Sequence, residues 1–176
     1  NSALNIDRIP VTPASTSGVI AVGASSWDNQ IGKGTYWASN WGPRTVLIAA
    51  PGQDVDVAVP KGAITETSML NPTGYRRADG TSFSAPHVVG AIALMLARSP
   101  ELSEEQIRLR LMGGDRGMKS WRLNLRDYNP TELFTSGSRL SLPGLISEDI
   151  TPPVRPTIEI VQVGHSSARL RIASSS

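Results

Sequence analysis

Cysteine is absent from the 176 residues. Disulfide frameworks and cysteine-based metal sites are therefore excluded, though the absence fixes no cellular compartment. No apolar run approaches the roughly 18 residues that a membrane-crossing helix requires, so no membrane partner is expected. Aromatic residues are only 5% of the chain, and no basic stripe is interleaved with them, so nucleic acid is not an expected partner either. Charge of neither sign dominates: 17 Lys and Arg stand against 15 Asp and Glu, a net +2. No secretory leader is seen, but the sequence opens at Asn1 without a methionine. That opening reads as an internal cut, so a missing leader excludes nothing.

What is present is an ordinary globular composition, 39% hydrophobic, in a length that suits one domain and part of another. Val19-Ile20-Ala21-Val22 and Val46-Leu47-Ile48-Ala49-Ala50 are short, continuous apolar runs. Continuous hydrophobicity predicts strands buried on both faces, as in a parallel sheet. Asp54 to Val59 alternates weakly and predicts a further strand. Residues 61–79 read as an extended or hairpin approach to the turn at Gly80. From Ser82 to Arg98 the pattern is helical and apolar on all sides, which predicts a helix buried all round. Gly90 inside it predicts close backbone packing. Ser103 and Gln106 form a capping box for a second helix. Glu104 and Arg108 form an i,i+4 pair on it, and Gly113-Gly114 ends it. Helices alternating with buried strands predict an α/β layered domain. Composition shifts at Thr151-Pro152-Pro153. Beyond it, Ile158 and Ile160, then Ala168, Leu170 and Ile172, predict two half-buried strands.

Most of the chemical information lies in Gly80-Thr81-Ser82-Phe83-Ser84-Ala85-Pro86-His87. A small-residue turn opening a helix places the Ser82 hydroxyl beside free backbone N–H groups, which favour developing negative charge. A serine at a helix start is by itself the pattern of an N-cap, so the order of the surrounding segments decides. The octet resembles the Gly-Thr-Ser-x-x-Ala-Pro-His signature of subtilisin-like serine proteases, the subtilases, whose nucleophile is the serine after Gly-Thr. Val19 to Ala24 is similar to that family's strand after the oxyanion loop. Trp41-Gly42-Pro43 with Ala49-Ala50-Pro51-Gly52 is similar to its next strand and turn, Leu102 to Arg108 to its next helix, and Arg139-Leu140-Ser141-Leu142 to its closing segment. The resemblance covers residues 1–146.

The resemblance implies a three-layer α/β parallel sheet with flanking helices over residues 1–150, its N-terminal part missing. Separately, residues 151–176 read as a linker followed by a segment that resembles the opening of an all-β fibronectin III-like module. The subtilase resemblance implies acyl transfer on polypeptide substrates, with Ser82 as nucleophile and the Asn1 amide as an oxyanion donor. Thr81 and Phe83 would border the substrate. Phe83 stands where methionine is frequent in the family, next to the leaving-group side; packing is the expected reason, and restriction of that subsite by its bulk is the alternative. In the family the serine comes last after Asp and His, so those two partners are expected upstream of Asn1. Of the 2 histidines, His87 lies about 140° around the helix from Ser82 and is assigned a structural role; His165 is assigned none. The chain alone is expected to be inactive and prone to aggregate through exposed strand edges. Leu47 replaces an aspartate that helps a cation site in many members, so no metal and no cofactor is expected on this chain; calcium sites upstream are left open. Secretion is implied by the family. Two other readings compete: a non-catalytic homologue acting as a binding or scaffold protein, and a nucleotide-binding α/β domain, which the lack of a glycine-rich phosphate loop disfavours.

Overall fold

The computed structural model describes residues 1–61, 74–113, 121–123, 126–128, 130–146, 157–163 and 168–173. In chain order the elements are β1 (Ala21–Ser25), β2 (Val46–Pro51), β3 (Val55–Ala58), β4 (Tyr75–Ala78), α1 (Thr81–Arg98) and α2 (Glu104–Met112). There follow β5 (Trp121–Leu123), β6 (Arg126–Tyr128), a 3₁₀ turn at Pro130–Glu132, α3 (Leu142–Ile146), β7 (Thr157–Val163) and β8 (Ala168–Ala173).

β1 and β2 pair in parallel, as their continuous apolar runs predict. β1 starts two residues late. Gly18 takes φ 84 and the Val19 N–H turns back to the Thr16 carbonyl at 3.2 Å, which keeps Val19 out of the ladder. β2 is buried from Val46 to Ala50, and its residues feed two cores. Leu47, Ile48 and Ala50 pack with Val88, Ala91 and Met95 of α1, Ile107 and Leu111 of α2, and Leu145 of α3. Val46 and Ala49 pack instead with Ile6, Ile31, Leu133 and Phe134. Among the described residues helices therefore cover one face, and irregular segments close the other. The 135–140 segment also runs along β2: Thr135, Ser136 and Leu140 donate to the carbonyls of Val46, Leu47 and Ala49 at 2.8, 3.0 and 2.8 Å. β3 and β4 form an antiparallel pair, so the strand expected at 54–59 exists and Tyr75–Ala78 approach Gly80 extended, with residues 62–73 of the expected approach outside the described set. β7 and β8 pair antiparallel; the half-burial expected of their side chains lies outside the described residues.

Two expectations for α1 need correction. Its buried stripe is Ser84, Val88, Ala91 and Met95, while Val89 is 65% and Leu94 50% exposed. A Cβ added at Gly90 would meet nothing within 4 Å, so no backbone packs there. The reason is width. Two strands side by side span roughly 10 Å, about one helix diameter, and can cover only one side of α1. The second helix follows its signals closely. The Ser103 Oγ accepts from Gln106 N–H at 3.3 Å, and the Gln106 side chain accepts from Ser103 N–H at 2.8 Å. Arg108 Nε donates to Glu104 Oε1 at 2.9 Å.

Asp7 joins the N-terminal segment to the turn before β2. Its Oδ1 accepts from Thr45 N–H at 2.9 Å, and its Oδ2 from Arg44 N–H at 3.0 Å and from the Arg44 guanidinium at 3.5 Å. Only 5% of the Asp7 side chain is exposed. Burial alone would raise its pKa, but hydrogen bonds from Thr45 and Arg44 outweigh burial and hold the carboxyl below its ordinary 3.8. A depressed folded-state pKa gives stability that is present above the ordinary value and lost as pH falls through the lower one. Asp7→Asn is expected to cost about 1–3 kcal/mol at neutral pH. Urea unfolding should show the gap to wild type closing below about pH 4. A gap constant down to acid pH would mean the carboxylate charge is not what holds the turn.

Candidate active site

Helix α1 opens without a side-chain cap. Its N-cap is Gly80, at φ 134 and ψ 159, a region that only glycine occupies freely. The first N–H groups of a helix lack partners within it. One partner comes from the far end of the sequence: Asn1 Oδ1 accepts from Thr81 N–H at 2.9 Å. The carboxamide lies so close to the turn that a Cβ on Gly80 would stand 3.1 Å from Asn1 Nδ2. With Oδ1 committed to Thr81, the donor end of the amide, Nδ2, lies beside Gly80. Ser82 is the second residue of α1 and is exposed. An exposed hydroxyl, an amide donor and a helix N-terminus thus share one spot, where negative charge on a bound group is favoured.

The turn is tied down on its other side. Gly80 N–H donates to the Gly52 carbonyl at 2.7 Å, which anchors it to the end of β2. Asp79 Oδ1 accepts from Asp54 N–H at 2.6 Å, and Asp79 Oδ2 from the Trp37 indole N–H at 3.2 Å. Phe83 is half-buried. It borders one cleft of about 310 Å³ with Asp54, Arg76, Arg77, Ala78 and Asp79. It borders another of about 280 Å³ with Val55, Asp56, Val57, Pro86 and His87. Asn1 lines a third cleft, of about 370 Å³, with Ser2, Ala3 and residues 33–38.

His87 is exposed, and its Nδ1 lies 2.7 Å from the Phe83 carbonyl. A carbonyl only accepts, so Nδ1 carries the proton there. That bond belongs to the helix surface, in keeping with a structural role. His165 lies outside the described residues. Leu47 is buried in the helix-side core, and among the described residues no group of three or more His, Cys, Asp or Glu is arranged to hold a metal. No helix among them is long and apolar enough to cross a membrane.

The structure therefore brings Asn1, Thr81 and Ser82 together, with Phe83 one residue further along α1. Reading the sequence missed Asp79, Trp37 and the Gly52 carbonyl. Asp79 was visible as the acidic residue before Gly80, but its partner is 42 residues away, and no local pattern links them.

Known proteins share this fold and these segments. The Subtilase family model, Peptidase_S8, matches residues 4–119. Proprotein convertase subtilisin/kexin type 9 of Rattus norvegicus is 39% identical over 107 residues, 60% of this chain and 14% of that protein. A subtilisin-like protease of Coccidioides posadasii is 39% identical over 93 residues, 53% of this chain and 19% of that protein. Among solved structures, MycP1 with its N-terminal propeptide removed superposes with a TM-score of 0.53 at 23% identity, over 80% of this chain and 40% of that one. The prenylagaramide maturation protease PagA superposes with a TM-score of 0.50 at 26% identity, over 77% of this chain and 43% of that one. The chain thus spans only a minor part of the length of each of these relatives. The α/β fold expected from the sequence is supported by both superpositions.

Proposed function

This chain belongs to the subtilase family, and from that premise we propose that it carries the nucleophile and both donors of the oxyanion hole of a serine endopeptidase. Ser82 Oγ attacks the carbonyl of a polypeptide substrate. A histidine, oriented by an aspartate, takes the Ser82 proton; both belong to sequence upstream of Asn1 in the full-length protein. The oxyanion of the tetrahedral intermediate lies between Asn1 Nδ2 and the Ser82 N–H, with α1 directing its N-terminus at the charge. Collapse of the intermediate expels the amine, which takes the proton from the histidine. Water then releases the acyl group by the same steps in reverse order.

The observation that carries this reading is the bond from Thr81 N–H to Asn1 Oδ1. It holds an amide donor against the turn that presents Ser82, although 80 residues separate the two partners. Thr81 and Phe83 border the bound peptide, and Phe83 packs along the leaving-group side. Residues 151–176 are a linker and the start of a fibronectin III-like module, of which β7 and β8 are the first strands. We place no cofactor on this chain, assign any calcium site to the rest of the protein, and place the protein outside the cell. The chain by itself, lacking its base, is inactive.

The test is covalent labelling. The full-length protein treated with a fluorophosphonate should gain one adduct, mapped by mass spectrometry to Ser82. No adduct, or one on another residue, would overturn the proposal in favour of a non-catalytic role.

A further inference from the structure

We infer that Trp37 is a positioning residue for the oxyanion hole: the 33–38 hairpin grips both walls of that hole and sets the gap between them. The inference rests on the function proposed above. One wall is Asn1, the other the turn that presents Ser82, and nothing covalent near the site joins them.

The hairpin touches both. Residue 38 holds the first wall: Ala3 N–H donates to the Ala38 carbonyl at 3.1 Å, and Ser2 and Ala38 form a parallel bridge. Residue 37 holds the second through the indole N–H to Asp79 Oδ2 at 3.2 Å. Ala38 makes its contact through its backbone carbonyl and Trp37 through its side chain, so adjacent positions reach two different neighbours. The hairpin itself is closed by the bridge of Lys33 with Ala38 and by Gly34 N–H to the Trp37 carbonyl at 2.9 Å.

Trp37 is not free to drift. Its ring lies against two glycines: a Cβ on Gly34 would be 2.5 Å from Nε1, and one on Gly32 would be 3.0 Å from the far edge of the indole. Any larger residue at either position would push the indole off its acceptor. Asp79 is held as well. Its second oxygen takes the N–H of Asp54 at 2.6 Å. Asp54 sits at φ 58, a left-handed conformation that aspartate tolerates at some cost. Its carbonyl is in turn held by Arg77 at 2.7 Å. The chain of contacts runs Asn1 segment, Ala38, Trp37, Asp79, Gly80, Ser82. The exposed Trp37–Asp79 bond adds little to global stability, so its use is in geometry. A displacement of about 1 Å at a reacting centre can cost on the order of 100-fold in rate.

The test is a double-mutant cycle on the full-length protein, reading kcat and KM for a peptide substrate. Trp37→Phe keeps an aromatic ring and removes the N–H. It should lower kcat about tenfold, a fraction of the loss that removing an oxyanion donor brings, with KM near wild type. In an Asn1→Ala background the same substitution should change kcat little, because the hole it positions has already lost its donor. Equal losses in both backgrounds would overturn the inference and make Trp37 a general structural residue, and so would no loss in either. Fluorophosphonate reaction of the wild type at Ser82 is the separate control. If that fails, the function proposed above fails; if it succeeds while the cycle shows no coupling, only the present inference does.

Discussion

Ser82→Ala in the full-length protein should lower kcat by roughly 10⁶ while leaving KM close to wild type, a scale that comes from subtilisin itself. The residue is exposed at the second position of α1, so its removal leaves no cavity, and alanine is a good helix former. Thermal unfolding should therefore be unchanged or slightly improved. That separates lost chemistry from lost folding. What activity remains should be that of the oxyanion hole and substrate binding alone, on the order of 10³–10⁴ over water. Ser84 provides the contrast. It is fully buried, and its Oγ finds no hydrogen-bond partner. Ser84→Ala should leave kcat intact, since the hydroxyl faces the core. If Ser84→Ala and Ser82→Ala lost activity to the same extent, the assignment of the nucleophile would be wrong.

Much of the fold can be read locally because its signals are local. The capping box at Ser103 and Gln106 lies within four residues, and both of its bonds form. The pairing of β1 with β2 follows from continuous apolar runs that only a sheet covered on both faces can bury. Ser82 at the start of a helix follows from small residues ahead of an apolar run. Errors arise where burial depends on distant chain. The apolar circumference of α1 predicts burial on every side, but the two strands beneath it cover only one. Val89 and Leu94 remain on its open side.

The candidate site is legible in its residue types and not in its braces. Asn1 and Ser82 belong to segments about 80 residues apart, and the family resemblance, not any spacing rule, connects them. No local signature links Asp79 to Trp37, 42 residues away. Each lies on a loop, and their role depends on a contact made only after β2, the 33–38 hairpin and α1 are in place. Sequence periodicity reports which face of an element is buried. It does not report which loop side chains meet across the top of a sheet, and active sites are built there.

Asn1 does two jobs that substitution can separate. Its Oδ1 accepts from Thr81 N–H and so caps α1, where Gly80 offers no side-chain cap. Its Nδ2 is the proposed oxyanion donor. Asn1→Ala removes both. It should lower kcat by about 10²–10³ with KM little changed, the loss known for an oxyanion donor in subtilisin, and cost about 1 kcal/mol of stability as a lost cap. Asn1→Asp keeps the acceptor for Thr81, so the stability should return. A carboxylate has no proton to donate, however, and it sets a negative charge where another develops in the transition state. Its kcat should therefore stay at least as low as that of Asn1→Ala. If Asn1→Asp restored kcat together with stability, capping of α1 would be the whole role of Asn1, and the oxyanion would need another donor. Recovery of stability without recovery of kcat assigns the two ends of one amide to two functions.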